Sequence, residues 1–152
     1  MDPDRLKHLE MIQAVITRLG NDSFLVKGWS ITVAGAFFGF SLTTREPWLA
    51  ATSILPTAMF WWLDTYYLHA ERLFRCLFDR VRKNDDRVEP FFMGATTDEF
   101  LRVATCAGEH VSSRREVARR PTLAVLYLAL LIAAAAITLI AASLPDPKSP
   151  WA

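Results

Sequence analysis

From residue 121 to residue 144 the chain reads PTLAVLYLALLIAAAAITLIAASL, 24 residues without a single charge. As a helix this run would extend about 36 Å at 1.5 Å per residue, enough to cross a hydrocarbon core about 30 Å thick with some tilt. Arg114, Arg115, Arg119 and Arg120 stand directly before it. Pro145 and Pro147 follow it, and proline, lacking an amide hydrogen, stops a helix. A membrane span is the expectation for this segment.

The rest of the sequence is segregated in the same way. Most charges fall in residues 2 to 27 and 64 to 120, whereas residues 28 to 63 are almost free of them. The apolar fraction of 52% is only slightly above the usual soluble range, so the distribution carries the signal and the total does not. Within 28 to 63, two uncharged stretches of 17 residues are separated by Arg45 and Glu46. Each is at the short end of the spanning range, about 17 to 25 residues, and residues 24–26 and 66–68 lengthen them. Lys27 can snorkel toward the headgroups from the end of the first. A helical hairpin turning at residues 44 to 47 is therefore predicted, and a buried hairpin in a soluble bundle is disfavoured by the longer third run. A mixed-charge segment of 27 residues precedes the first apolar block and no small-residue cleavage site follows it, so the block is expected to stay in the mature chain.

The basic residues set an orientation. Of 17 lysines and arginines, all but Arg45 and Lys148 lie before the first span or between the second and third. The positive-inside rule then places the N-terminus in the cytoplasm and the C-terminus outside, as in a bacterial inner membrane. Because the net charge is only +1 and basic residues alternate with acidic ones, nucleic acid is not an expected partner. Cys76 and Cys106 lie in the cytoplasmic block, where thiols stay reduced, and are expected to be small packing residues.

The predicted fold is all-α, a single three-span membrane domain over residues 1–152 with amphipathic cytoplasmic helices. An amphipathic helix is expected over 3–20, spans over 24–44, 47–68 and 121–144, a cytoplasmic continuation of the second span to 83, and a further helix over 97–111. The first helix carries the stripe Leu6, Leu9, Ile12, Ile16 and Leu19 and should break at residues 20–22. The continuation of the second span presents Ala70, Leu73, Phe74, Leu77 and Val81 on one face. Thr96 with Glu99 fits a capping box opening the helix at 97.

Chemistry-bearing patterns are sparse. There is no GxxxxGK, HExxH or CxxC, and His8, His69 and His110 are far apart with no second ligand at helical spacing, so no catalytic, cofactor or metal site is expected. Gly35 and Gly39, extended by Gly28, Thr32 and Ala36, form a small-residue face that lets helix backbones approach closely in lipid. Packing inside the chain's own hairpin is slightly favoured for it over contact between subunits, and alanines 129, 133 and 136 carry the same choice. Lys27 and Asp64 stand at the same level of an antiparallel hairpin, where a charge is costly unless paired, so a structural pair is expected. The functional alternative groups Asp64 with Glu71, two turns further on, and with Arg72 and Arg75 as the charged mouth of a pathway assembled from several chains.

The stretches HLEMIQAVITRLGNDSFLVKGWSITVAGAFFG and ILPTAMFWWLDTYYLHAERLFRCLFDRVR resemble a widespread family of small, largely uncharacterised bacterial inner-membrane proteins. The resemblance covers roughly residues 7 to 95 and includes Asn21, Ser23, Phe24, Lys27, Gly28 and Trp29, then Asp64, Tyr66, Tyr67, Leu68, Glu71, Arg72 and Arg75. It implies a membrane protein and brings no activity with it. By analogy, small multi-span proteins of this look serve as membrane-disrupting effectors in antiphage defence. The expected function is accordingly an oligomeric channel or membrane-perturbing effector gated by its cytoplasmic helices. The competing expectation is a membrane anchor that recruits a cytosolic protein, and neither reading is enzymatic. Reporter fusions after Arg87 should be cytoplasmic and fusions after Pro147 external; the reverse pattern contradicts this topology.

Overall fold

The computed structural model describes residues 3–83, 85, 88–97, 100 and 113–143, with backbone alone at 105–106 and 109–110. Helix α1 runs Pro3–Thr44, α2 Pro47–Thr52, α3 Ile54–Arg82, α4 Arg114–Ala118 and α5 Pro121–Ser143. The only strands among the described residues are β1 (Thr105–Cys106) and β2 (Glu109–His110), an antiparallel pair with Thr105 opposite His110 and Cys106 opposite Glu109. The fold is thus all but wholly helical.

Three helical expectations need correction. The break at residues 20–22 is absent, and α1 continues through it for 42 residues. Gly, Asn and Asp each cost a helix only about 0.5–1 kcal/mol relative to alanine, too little to interrupt a helix already propagating from both sides. The second span is not one continuous helix either, because α2 and α3 are parted at Ser53. Pro56 has no amide hydrogen for the Thr52 carbonyl and its ring crowds that carbonyl, which loosens the turn before it. Ser53 N–H turns instead to Ala50 O at 3.2 Å, Ser53 Oγ donates to the same oxygen at 2.6 Å, and Thr57 Oγ1 donates to Ser53 O at 2.7 Å. Finally, the β pairing occupies part of the helix expected over 97–111, and residues 98–99, 101–104, 107–108 and 111 lie outside those described. The Glu99 half of the capping box falls there too; Thr97 Oγ1 accepts a hydrogen bond from Phe100 N–H at 3.4 Å.

The hairpin turn stands where the sequence puts it. Arg45 takes a left-handed φ of 58°, Glu46 is extended, and Pro47 opens α2 at its first turn, where a missing N–H costs nothing. Ser41 Oγ donates to Glu46 O at 3.0 Å and closes the turn from the α1 side.

The chain divides into two compact units, one made of residues 1–24 and 65–117, the other of 25–64 and 118–152. The first has an ordinary apolar core: Leu9, Ile12 and Ile16 of α1 meet Leu73, Leu77 and Val81 of α3, and Ala95 and Phe100 close over them. Leu6 is 49% exposed, outside this core, because the N-terminal turn is held by polar contacts instead. There Arg5 Nε donates to Val81 O at 2.8 Å and its terminal nitrogen to Arg82 O, so a cation caps the last carbonyls of α3. His8, itself buried, hydrogen-bonds through Nε2 to Phe92 O at 2.9 Å. Cys76 is buried here but disulfide-bonded, which corrects the packing-thiol expectation; compartment and spacing say nothing about which sulfurs a fold brings together. The matching expectation for Cys106 falls on a side chain outside those described.

The second unit is built the other way round. Among the described residues its buried positions are mostly small or polar: Ser30, Ala34 and Ser41 on α1, Ala50 on α2, Ser53 between the helices, Thr57 and Asp64 on α3, and Tyr127, Ala134 and Ala141 on α5, with Val26 and Leu123 as apolar exceptions. Its large apolar side chains face outward, among them Trp29, Phe40, Leu55, Met59, Ile132 and Leu139. Helix α2 packs on α5 within this unit. Two helices, Pro3–Thr44 and Pro121–Ser143, are long and apolar enough to cross a membrane, and both leave most of their apolar stretch unburied. The segment expected as the second of three spans does not meet that test, because Pro56 divides it and its polar and aromatic residues lower its apolar character.

Candidate functional site

The interior of the second unit contains a carboxylate. Asp64 lies on α3 at 0% exposure, and Lys27 of α1 brings Nζ to 2.8 Å from each of its oxygens. From α5, Tyr127 donates its hydroxyl to Asp64 Oδ2 at 3.1 Å. The same hydroxyl is 3.4 Å from Phe60 O, but it has one proton, and the nearer, charged oxygen is the stronger acceptor. Three helices are thereby joined at one carboxylate.

Packing around the group is equally specific. Trp61, one turn before Thr65 on α3, stacks on the Tyr127 ring with centroids 5.9 Å apart and planes within 6° of parallel. Its indole N–H reaches Ala118 O at 3.3 Å, which ties α3 to the chain just ahead of α5. Ser30, buried one turn beyond Lys27, donates to the Lys27 carbonyl at 2.8 Å. Lys27 keeps 27% of its side chain exposed, whereas that of Asp64 is wholly enclosed.

The other charged candidates lie in the first unit. Glu71 and Arg75, in the first unit, pair across one turn of α3 at 2.6 Å, and Arg75 Nε adds a second bond at 2.9 Å. Arg72 is half-buried on the same helix. Asp64 is thus enclosed in the second unit, and Glu71 is paired within the first. Gly28, Gly35 and Gly39 would meet nothing within 4 Å if a Cβ were added, and Thr32 is exposed on the same face. This corrects the preference for packing inside the hairpin: the buried stripe of α1 is Val26, Ser30, Ala34 and Ser41, on the other side of the helix. In α5 the buried alanines are 134 and 141, and 129 and 136 face outward.

Hydroxyl groups in the second unit turn back onto their own helices. Thr32 donates to Gly28 O, Thr43 to Gly39 O, Thr52 to Trp48 O and Thr138 to Ala134 O, all at 2.7 to 3.0 Å. A hydroxyl satisfied in this way can face an apolar solvent without a desolvation penalty. Among the described residues no group of three or more histidines, cysteines or carboxylates could hold a metal ion.

No protein-family model, curated protein or solved structure matches the chain. The site therefore has to be read from its own chemistry. Sequence reasoning named Lys27 and Asp64 but passed over Tyr127 and Trp61. The available signal was that Tyr127 is the only phenol in a charge-free run, six residues inside it, where a buried hydroxyl needs a partner.

The geometry predicts unequal costs. Replacing Lys27 with Met leaves a fully buried carboxylate unmet and should cost about 3–5 kcal/mol, the range for breaking a buried pair. Asp64→Asn should cost less, because Lys27 can turn outward, and Tyr127→Phe should cost about 1.5–3 kcal/mol, the worth of a hydrogen bond to a charged group. Unfolding in detergent should place the Lys27→Met, Asp64→Asn double variant well below the sum of the two singles. Simple additivity would mean that the residues are not coupled.

Proposed function

We propose that the chain is an oligomeric integral membrane protein, crossing the bilayer three times, whose assembled subunits form a channel or membrane-perturbing effector. The observation that carries this reading is the inverted second unit, polar and small inside, large and apolar outside. Water would impose a severe cost on such a surface, since monomeric soluble proteins rarely expose contiguous apolar patches beyond a few hundred Å². Lipid imposes none. Three spans are favoured over two because α2 packs on α5 and the outward residues Ile54, Leu55, Met59 and Trp62 continue the same apolar surface along the start of α3. The hydroxyls around Ser53 that compensate for Pro56 are the usual means by which a proline is accommodated in a membrane helix.

Self-association is supported by the exposed face Gly28, Thr32, Gly35 and Gly39 of α1. With open space above each glycine, a second helix can approach the backbone, which is how small residues drive association in lipid. The orientation proposed is the one set by the basic residues, with the N-terminus in the cytoplasm of a bacterial cell and the first unit there as the gating or partner-binding part. A membrane anchor recruiting a cytosolic protein is the second reading. It is favoured by the hydroxyls bonded to their own helices and by the enclosed Asp64, which leave no polar pathway among the described residues of the second unit.

The mass of the detergent-solubilised protein and ion flux from liposomes test these together. The wild type should run as an oligomer and release ions, and Gly35→Leu with Gly39→Leu should reduce its mass and abolish flux while leaving insertion intact. An oligomer without flux under any condition favours the anchor, and a monomer before and after substitution rules out the channel.

A further inference from the structure

We propose that Arg119 and Arg120 bind the phosphate headgroups of anionic phospholipids at the boundary where α5 enters the membrane. The proposal rests on the membrane-spanning reading of α5. At 23 residues α5 is about 34 Å long, close to one hydrocarbon thickness, so the residues just before Pro121 fall at headgroup depth. The aromatic residues of the same unit agree: Trp61 directs its indole N–H to Ala118 O, and Trp62 is 68% exposed, the placement of amphipathic rings at a membrane interface.

Three features make this segment a receptor for phosphate rather than a general basic surface. Its charge is not cancelled within the fold. Lys7, Lys27, Arg75, Arg80 and Arg82 all have carboxylate partners, whereas Arg119 and Arg120 are exposed and form no ion pair among the described residues. Secondly, Leu123 and Ala124 N–H both bond to Arg120 O, so Arg120 caps α5 and its charge adds to the positive end of that helix. Thirdly, both cations are arginine, whose planar guanidinium meets two phosphate oxygens at once where lysine offers a point charge.

The test uses the full chain in a neutral detergent, titrated with short-chain phosphatidylglycerol or phosphatidylcholine, with the unfolding temperature as readout. Phosphatidylglycerol should raise it and phosphatidylcholine should not. Arg119→Gln with Arg120→Gln should weaken the apparent affinity for phosphatidylglycerol roughly 25-fold, about fivefold per arginine, without moving the lipid-free unfolding temperature. Arg119→Lys with Arg120→Lys should keep the charge and still lose part of the affinity, and it serves if the glutamine variant does not fold. Glycerol phosphate at matched concentration should have no effect; an equal effect would overturn the lipid assignment in favour of a soluble phosphate ligand. Equal shifts with both lipids, or an unchanged response in both variants, would also overturn the proposal. Recovery of the chain in the soluble fraction after detergent-free lysis would instead overturn the membrane reading, and is distinguished by that fractionation.

Discussion

Burying a carboxylate in an apolar helical unit costs several kcal/mol unless its charge is met on the spot, and the second unit is organised around meeting it at Asp64. Lys27 supplies the charge from α1 and Tyr127 a hydrogen bond from α5, both at about hydrogen-bond length. Each of these partners fixes the rotation of its helix. Once Lys27 faces Asp64, the Ser30, Ala34 and Ser41 stripe of α1 is turned inward and the Gly28, Gly35 and Gly39 face is turned out. Once Tyr127 faces it, Ala134 and Ala141 follow at helical spacing. The polar contact therefore selects which small residues close the interior and which remain for another helix. In lipid, where apolar burial does not drive helices together, a directional contact of this kind is well suited to choosing one arrangement among many of similar packing.

The two units solve the burial problem in opposite ways with shared helices. In the first, leucine, isoleucine and phenylalanine are inside and charges outside, and Arg5 satisfies the carbonyls that end α3. In the second, leucine, phenylalanine and tryptophan are outside and serine, alanine and aspartate inside. Both α1 and α3 contribute to both units, so the pattern of each helix changes along its length. The disulfide at Cys76 pulls against a cytoplasmic placement of the first unit, because such bonds persist mainly in oxidising compartments, whereas the fifteen basic residues favour that placement.

Much of this was legible in the sequence, for identifiable reasons. A charge-free run bounded by arginines and prolines reports α5 to within a residue, and the Arg45, Glu46, Pro47 punctuation reports the turn. The stripes Leu9, Ile12, Ile16 and Leu73, Leu77, Val81 report the core of the first unit. What was not legible depended on competition or on three dimensions. Gly20 to Asp22 read as a break only if local propensity outweighs a helix continuing from both sides, and Pro56 was passed over because a hydropathy argument does not register a missing hydrogen bond. The side of α1 occupied by Gly35 could not be assigned without knowing that Lys27 and Ser30 fix the opposite side. Tyr127 needed the position of α5 beside α3, which no spacing within one helix provides.

The central claim is that the outward apolar surface of the second unit is covered by lipid. Nitroxide probes placed at Met59, Val125 and Leu139, all at least 65% exposed, test it most directly when the protein is reconstituted in a bilayer. Collisions with molecular oxygen should be frequent and collisions with a charged nickel chelate rare at all three positions, with probes near Pro121 showing the opposite balance. Ready access of the chelate to Met59, Val125 and Leu139 would mean that water or a soluble partner covers this face, and would contradict the account.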